Sequence, residues 1–582
     1  MLNKPLIAVG LLASVGFMQA QQGDVLVERG VPATMRDGTV LRSDIYRPKA
    51  PGRYPVLLQR TPYNKASGVE FGYRAAARGY IVVVQDVRGR YTSEGEWYTF
   101  KHESQDGYDT IEWAAALPNS DGRVGMFGGS YVGATQMLAA IAHPPHLAGI
   151  CPVVTASNYH SNWAYQGGAF EQWFNESWTS GLAQDTVNRL VGKQTNALQG
   201  STSLPLTSYR LFNGPVDSSL TTLAPYFLDW LAHPTYDSYW KQWSIEDHYA
   251  DIAVPALHTA AWYDIFQAGS LQNYQGIKLH AANETAKRGQ HLLVVIGGHA
   301  GSGRHIGQVD FGSAADYKQD QVTLAWYDYL FKGVKNELSS KPVRLFVMGA
   351  NKWRDEDDWP LQRAQSTKYF LHSKGGANSV RGDGTLSPEP PQGGETADHF
   401  TYNPSKPVPT IGGPLCCDGL HLPPGPRDQR PVEARNDVLV YTTDPFSQET
   451  EVTGPVLLDL YFQSSAVDTD FTAKLVDVWP NGFAQNLTEG ILRTSFRNSQ
   501  EAQELLNPGQ IYEIRVDLWS TSNVFLSGHR LRLEVSSSNF PRFDRNLNTG
   551  HISANDTQWT SATNTVLHDA AHPSTLILPV IK

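Results

Sequence analysis

The sequence predicts an α/β fold: a mostly parallel, doubly wound core, an inserted helical cap, and a C-terminal all-β sandwich of the jelly-roll kind. Three observations carry this. Strand and helix patterns alternate through the first 155 residues and again from 246 to 350, as successive βα units require. The stretch between them is rich in tryptophan and has no parallel-strand run. After residue 350 the helical signal almost stops and short strands separated by Pro/Gly-rich turns take over. With 582 residues the chain is too long for one core. We therefore expect residues 21–155 and 246–350 to form the core, 156–245 the cap and 351–582 the sandwich.

The core elements follow in order. Residues 25–86 are strand-rich, with a hairpin turn at Met35-Arg36-Asp37-Gly38 and strands at 41–46 and 54–60. Residues 79–86 (GYIVVVQD) are a near-continuous β-branched run, suited to a strand covered on both faces. Residues 107–117 read as a helix. Strands are then expected at 253–260, 290–296 and 343–348, with an amphipathic helix at 317–331. In the last part, strands are expected at 367–371, 438–442, 456–462, 471–478, 511–518 and 531–536. Each of the cap residues Trp163, Trp173, Trp178, Trp230, Trp240 and Trp243 is read first as core, since aromatics dominate interiors.

Residues 124–133 (VGMFGGSYVG) organise the rest. They read as a buried strand, a sharp turn and the start of a helix that continues through 134–142. Ser130 sits in the turn between glycines, lifted above the sheet edge. This is the nucleophile elbow of the α/β-hydrolases, with the second glycine one place late, at Gly133. A serine needs a base, and the base needs a carboxylate to hold it. In this fold the chain order is Ser, Asp or Glu, His. Asp264 and His299 stand in that order, each at the end of an expected strand. His305 is the alternative base. One oxyanion donor is expected from the backbone N–H of Tyr131, directly after the serine. Since the base must be neutral to act, activity should fall towards acid pH.

Composition narrows the class. The net charge is −10 with no basic block, which argues against nucleic-acid binding. No stretch is long and apolar enough to span a membrane. Residues 1–20 carry Lys4, an apolar run and Ala20, a pattern that predicts a signal peptide and a secreted or periplasmic protein. Of the three cysteines, Cys416 and Cys417 are adjacent and read first as two small buried residues, with a vicinal disulfide as the alternative. No Cys/His cluster has metal-ligand spacing, so neither metal nor cofactor is expected.

Several motifs together extend this reading. They are Met35-Arg36-Asp37-Gly38, Pro62-Tyr63, Asp86-Val87-Arg88-Gly89, the elbow, Trp262-Tyr263-Asp264, Leu345-Phe346-Val347-Met348-Gly349, residues 465–471 (SAVDTDF) and residues 536–541 (SSSNFP). On them the chain resembles the cocaine esterase-like, X-prolyl dipeptidyl-peptidase-type (CocE/NonD) serine hydrolases, over nearly everything after the leader. The resemblance implies a Ser130–His299–Asp264 triad, a second oxyanion donor in the Tyr63 hydroxyl, and Trp163 and Phe266 as walls of the acyl pocket. It implies a small-molecule ester or amide substrate and leaves room for a homo-oligomer. The chain departs from the family where His299 follows Ile296-Gly297-Gly298 in place of a Gly-Pro-Trp stretch. It departs again at Ile265 and Phe266, where the α-amino-acid ester hydrolases carry acidic residues. Two alternatives to an esterase stay open. One is an X-Pro dipeptidyl aminopeptidase, with Glu171 or Glu176 clamping a free N-terminus. The other is a carbohydrate- or surface-binding protein with a degenerate core.

Overall fold

The computed structural model describes residues 24–192, 223–299, 301–552 and 556–582. The expected signal peptide lies outside these residues.

Ten strands form the path of the first sheet: β1 (Val25–Thr34), β2 (Val40–Pro48), β3 (Tyr54–Thr61), β4 (Ile81–Asp86), β5 (Ser120–Gly129), β6 (Leu147–Val153), β7 (Ala256–Tyr263), β8 (Gln290–Gly298), β9 (Val343–Val347) and β10 (Lys352–Glu356). Their spatial order is β1-β2-β4-β3-β5-β6-β7-β8-β9-β10. Pairing is parallel from β4 to β9 and antiparallel at both margins. The central strands are buried on both faces, β4 and β7 at every residue, which explains their unbroken apolar runs. The α/β core is thus as the sequence predicts.

Two strands differ from the expectation. β6 (LAGICPV) was not separable by pattern, because Gly149 and Pro152 interrupt a short run. The sheet also runs past residue 350. Lys352–Glu356 folds back antiparallel on β9, with Trp353 packed edge-on against Phe346 at 5.4 Å. The expected boundary at 350/351 is corrected accordingly: a polar edge strand carries little apolar signal, since one side faces solvent.

In the cap, α1 (Gln172–Val191) and α2 (Pro225–Ala232) cover the carboxyl ends of the core strands together with a short hairpin, Tyr165–Gln166 with Ala169–Phe170. All six of its tryptophans named above are buried. The C-terminal part is all-β; among the described residues its sheet has eleven strands that pair antiparallel apart from one contact between Thr385 and Thr442. The strand Thr450–Ser464 alternates between buried and half-buried residues from Val456 onward, with Leu458, Leu460 and Phe462 facing the core. Asp470–Val478 and Ala484–Arg493 are buried throughout. The second of these lies against the α/β core, where the Tyr263 hydroxyl donates to the Asn486 carbonyl at 2.9 Å. Cys416 and Cys417 are joined by a disulfide, which corrects the first reading of two ordinary buried residues. Cys416 is buried and Cys417 exposed, so the pair straddles the surface.

Candidate active site

Ser130 follows β5 directly and is the N-cap of α3 (Tyr131–Ala140). Its backbone is held at φ 61°, a left-handed conformation that a side-chain-bearing residue adopts only when its surroundings enforce it. The enforcement is visible. The Ser130 N–H donates to the Val153 carbonyl at 2.9 Å. Gln136 donates to the Gly128 carbonyl and accepts from the Cys151 N–H, tying the turn to β6. A Cβ on Gly128 would stand 2.3 Å from Val132 Cγ1. One on Gly133 would stand 2.7 Å from Thr155 Cβ. The late glycine is therefore the one that lets α3 pass the end of β6.

The three expected strand ends converge. Ser130 Oγ lies 2.9 Å from His299 Nε2. His299 Nδ1 lies 2.7 Å from Asp264 Oδ2. Asp264 is fully buried, and its other oxygen accepts the Phe266 N–H at 2.7 Å, which leaves the carboxylate one orientation. His305 stands on an exposed short hairpin facing Asp310 at 4.0 Å.

Tyr63 follows β3. Its hydroxyl accepts a hydrogen bond from Trp178 Nε1 at 2.9 Å. Burial raises the Tyr63 pKa above 10; Trp178, the Ser130 side chain and the Tyr131 backbone N–H pull against that rise. The phenol therefore keeps its proton at neutral pH. Below the elbow, the Tyr131 hydroxyl accepts the Phe100 N–H at 2.8 Å and donates to Glu103 at 2.9 Å. Glu103 in turn pairs with buried Arg60 at 2.7 Å. This chain anchors the side chain whose backbone N–H borders the serine.

Phe266 stacks on Trp163 with ring centres 4.5 Å apart and meets the His299 ring edge-on at 5.1 Å. Phe174 and Trp178 from α1 pack against Trp163 at 5.3 Å each. An aromatic wall thus stands beside the imidazole. Sequence reasoning did not assign Trp178 or Arg90 to this site. Arg90 is buried and donates to the Pro62 carbonyl at 3.1 Å and to the Leu182 carbonyl at 3.0 Å, joining the Tyr63 loop to α1. No local pattern encodes either contact.

The two cap glutamates have other surroundings. Glu171 faces Arg542 at 3.5 Å, and burial lifts its pKa to about 7 against that attraction. Glu176 is buried on α1, which pushes its carboxyl up to about 8, with a Gln172 hydrogen bond opposing the shift. Among the described residues no group of three His, Cys, Asp or Glu could hold a metal ion, and no helix is long and apolar enough to cross a membrane.

A serine on a strained strand–helix turn, an imidazole within reach and a buried carboxylate behind it define a serine hydrolase on the α/β-hydrolase fold. The chain belongs to the X-Pro dipeptidyl-peptidase (S15) family. The S15 family profile matches residues 37–301, and the profile of the X-Pro dipeptidyl-peptidase C-terminal non-catalytic domain matches 336–577. The chain is 38% identical to the cocaine esterase of Rhodococcus sp. (strain MB1 Bresler), over 96% of this chain and 99% of that one. Two solved structures are similar at 25% identity, each covering 96% of this chain and 97% of the other. An aminopeptidase from a marine sediment Thaumarchaeota archaeon has a TM-score of 0.83. An α-amino acid ester hydrolase has a TM-score of 0.79.

Proposed function

We propose that this protein hydrolyses carboxylic esters of small molecules through an acyl-enzyme formed on Ser130. The observation that carries this reading is the continuous relay from Ser130 Oγ through His299 to Asp264, at 2.9 and 2.7 Å. Ser130 attacks the acyl carbonyl while His299 Nε2 takes its proton. The imidazolium gives that proton to the departing alkoxide, and the C–O bond breaks. Water then attacks the acyl carbon while losing a proton to His299; the bond from Ser130 Oγ to that carbon breaks, His299 returns the proton to Oγ, and the acid leaves. Asp264 holds Nδ1–H and stabilises the charged ring. The Tyr131 N–H and the Tyr63 hydroxyl bind the oxyanion, and Trp163 and Phe266 wall the acyl group.

Three features support an ester over a dipeptide. Ile265 and Phe266 are buried and apolar where an ammonium would need acids. Glu171 is engaged by Arg542. The wall beside His299 is aromatic. The pattern of residues 1–20 further supports export, to the periplasm or beyond.

The test is labelling with a fluorophosphonate probe followed by peptide mass spectrometry. The label should fall on Ser130 and vanish in Ser130→Ala. Hydrolysis of p-nitrophenyl butyrate should exceed that of Gly-Pro-p-nitroanilide. The reverse order would move the protein to the dipeptidyl-peptidase reading.

A further inference from the structure

The hydrogen bond between Trp178 and Tyr63 has a direction that chemistry fixes. An indole N–H donates and never accepts. With Nε1 2.9 Å from the Tyr63 oxygen, the indole occupies one of that oxygen's lone pairs. The Tyr63 proton consequently has no acceptor on the Trp178 side. The Tyr131 backbone N–H, the other neighbour on the elbow, is also only a donor. On the elbow side the Ser130 side chain, which hydrogen-bonds the same phenol, offers an oxygen that can accept, as does, during reaction, the oxyanion on the acyl carbon attached to it.

We propose that Trp178 is a positioning residue that sets the Tyr63 hydroxyl rotor, so that the phenolic proton points at the developing oxyanion. This rests on the reading of Tyr63 as an oxyanion donor. No bond to Trp178 forms or breaks in the cycle. The indole N–H also withdraws density from the phenol oxygen, and linked hydrogen bonds strengthen one another.

Both partners are held in place. Trp178 is buried on α1, stacked with Tyr131 at 6.0 Å and with Trp230 at 6.2 Å between ring centres. Arg90 grips the carbonyl just before Tyr63 and the carbonyl one helical turn after Trp178, at 3.1 and 3.0 Å. A cation–π contact seats the Arg90 guanidinium over Trp97 at 5.3 Å. Loop and helix are thereby clamped at the spacing the hydrogen bond needs.

The experiment is a double-mutant cycle on p-nitrophenyl butyrate hydrolysis. Trp178→Phe keeps an aromatic ring and deletes the donor. We expect kcat to fall about tenfold with KM changed less than twofold, the split expected for a group felt mainly in the transition state. In a Tyr63→Phe background the same change should cost nothing further. Benzothienylalanine at position 178 replaces N–H by sulfur in the same outline, and should reproduce the Trp178→Phe loss even if the phenylalanine variant folds poorly. An equal loss in both backgrounds overturns the proposal, since Trp178 would then act through packing alone. Full kcat in Tyr63→Phe overturns the reading of Tyr63 itself, whatever Trp178→Phe does.

Discussion

Gln267 and Ser520 exchange two hydrogen bonds between the α/β core and the all-β part. Gln267 Nε2 donates to the Ser520 carbonyl at 2.8 Å, and the Ser520 N–H donates to Gln267 Oε1 at 3.0 Å. The same amide group donates to the Trp262 carbonyl at 3.0 Å, two residues before Asp264. The Gln267 N–H donates to the Asp264 carbonyl at 3.2 Å. The all-β part therefore buttresses the turn that carries the carboxylate of the relay. This gives it a role in the hydrolase.

Gln267→Ala should show this coupling. It strands a buried carbonyl and N–H of Ser520, a loss of about 1–3 kcal/mol. The expected result is a melting temperature lower by a few degrees, with kcat on p-nitrophenyl butyrate down several-fold at unchanged KM. Differential scanning fluorimetry beside steady-state kinetics reads both. A lower melting temperature with full kcat would confine the contact to stability.

Glu176 gives a second, pH-dependent outcome. Burial lifts its folded pKa from 4.5 to about 8, with Gln172 opposing. A raised carboxyl pKa means folding favours the protonated form. Its contribution is complete below pH 4.5 and is lost as pH rises through about 8. Glu176→Gln keeps a donor and acceptor of the same shape and removes the titration. The variant should melt close to wild type at pH 5 and a few degrees above it at pH 9. A constant difference across that range would mean that the carboxyl is solvated at high pH.

How much of this was legible in the sequence depends on range. Ser130, Asp264 and His299 each follow a strand, so the strand–helix alternation alone brought them to one edge. Tyr131 followed from adjacency. Tyr63 rested on family likeness, because nothing in the Pro62-Tyr63 loop states where a phenol points. Trp178, Arg90 and Gln267 were illegible as site residues. Their meaning lies in partners 115, 92 and 253 positions away in the chain. β6 and β10 were lost for the opposite reason: the former is short and interrupted by Gly149 and Pro152, the latter is a polar edge strand. The bond between Cys416 and Cys417 depends on backbone geometry that composition does not carry.

His568 supplies the last prediction. It is fully buried at the end of the strand Ala562–Leu567, with Nε2 3.0 Å from Asp398 and Nδ1 3.1 Å from Glu395. The Ser373 and Tyr441 hydroxyls donate to the same Asp398 oxygen at 2.8 and 2.7 Å, and His372 faces Glu395 at 2.8 Å. Burial works to depress the His568 pKa, but the two carboxylates prevail and raise it above 6.5. Burial likewise works to raise Asp398, and its hydrogen bonds, His568 first, hold it below 3.8. The signs then define a window. The raised histidine contributes stability in full below pH 6.5 and loses it as pH climbs through the folded pKa. The depressed aspartate contributes above pH 3.8 and loses it as pH falls through its folded value. The cluster therefore stabilises the all-β part most between about pH 4 and 6.5. His568→Gln removes the charge and leaves the carboxylates facing each other's field, a cost of about 3–5 kcal/mol for a broken buried pair. The melting deficit of this variant should be several degrees at pH 6 and smaller at pH 9, because wild type loses this contribution as pH climbs through the raised folded pKa. An equal deficit at both values would show that His568 is neutral throughout and serves only as a hydrogen-bonding spacer.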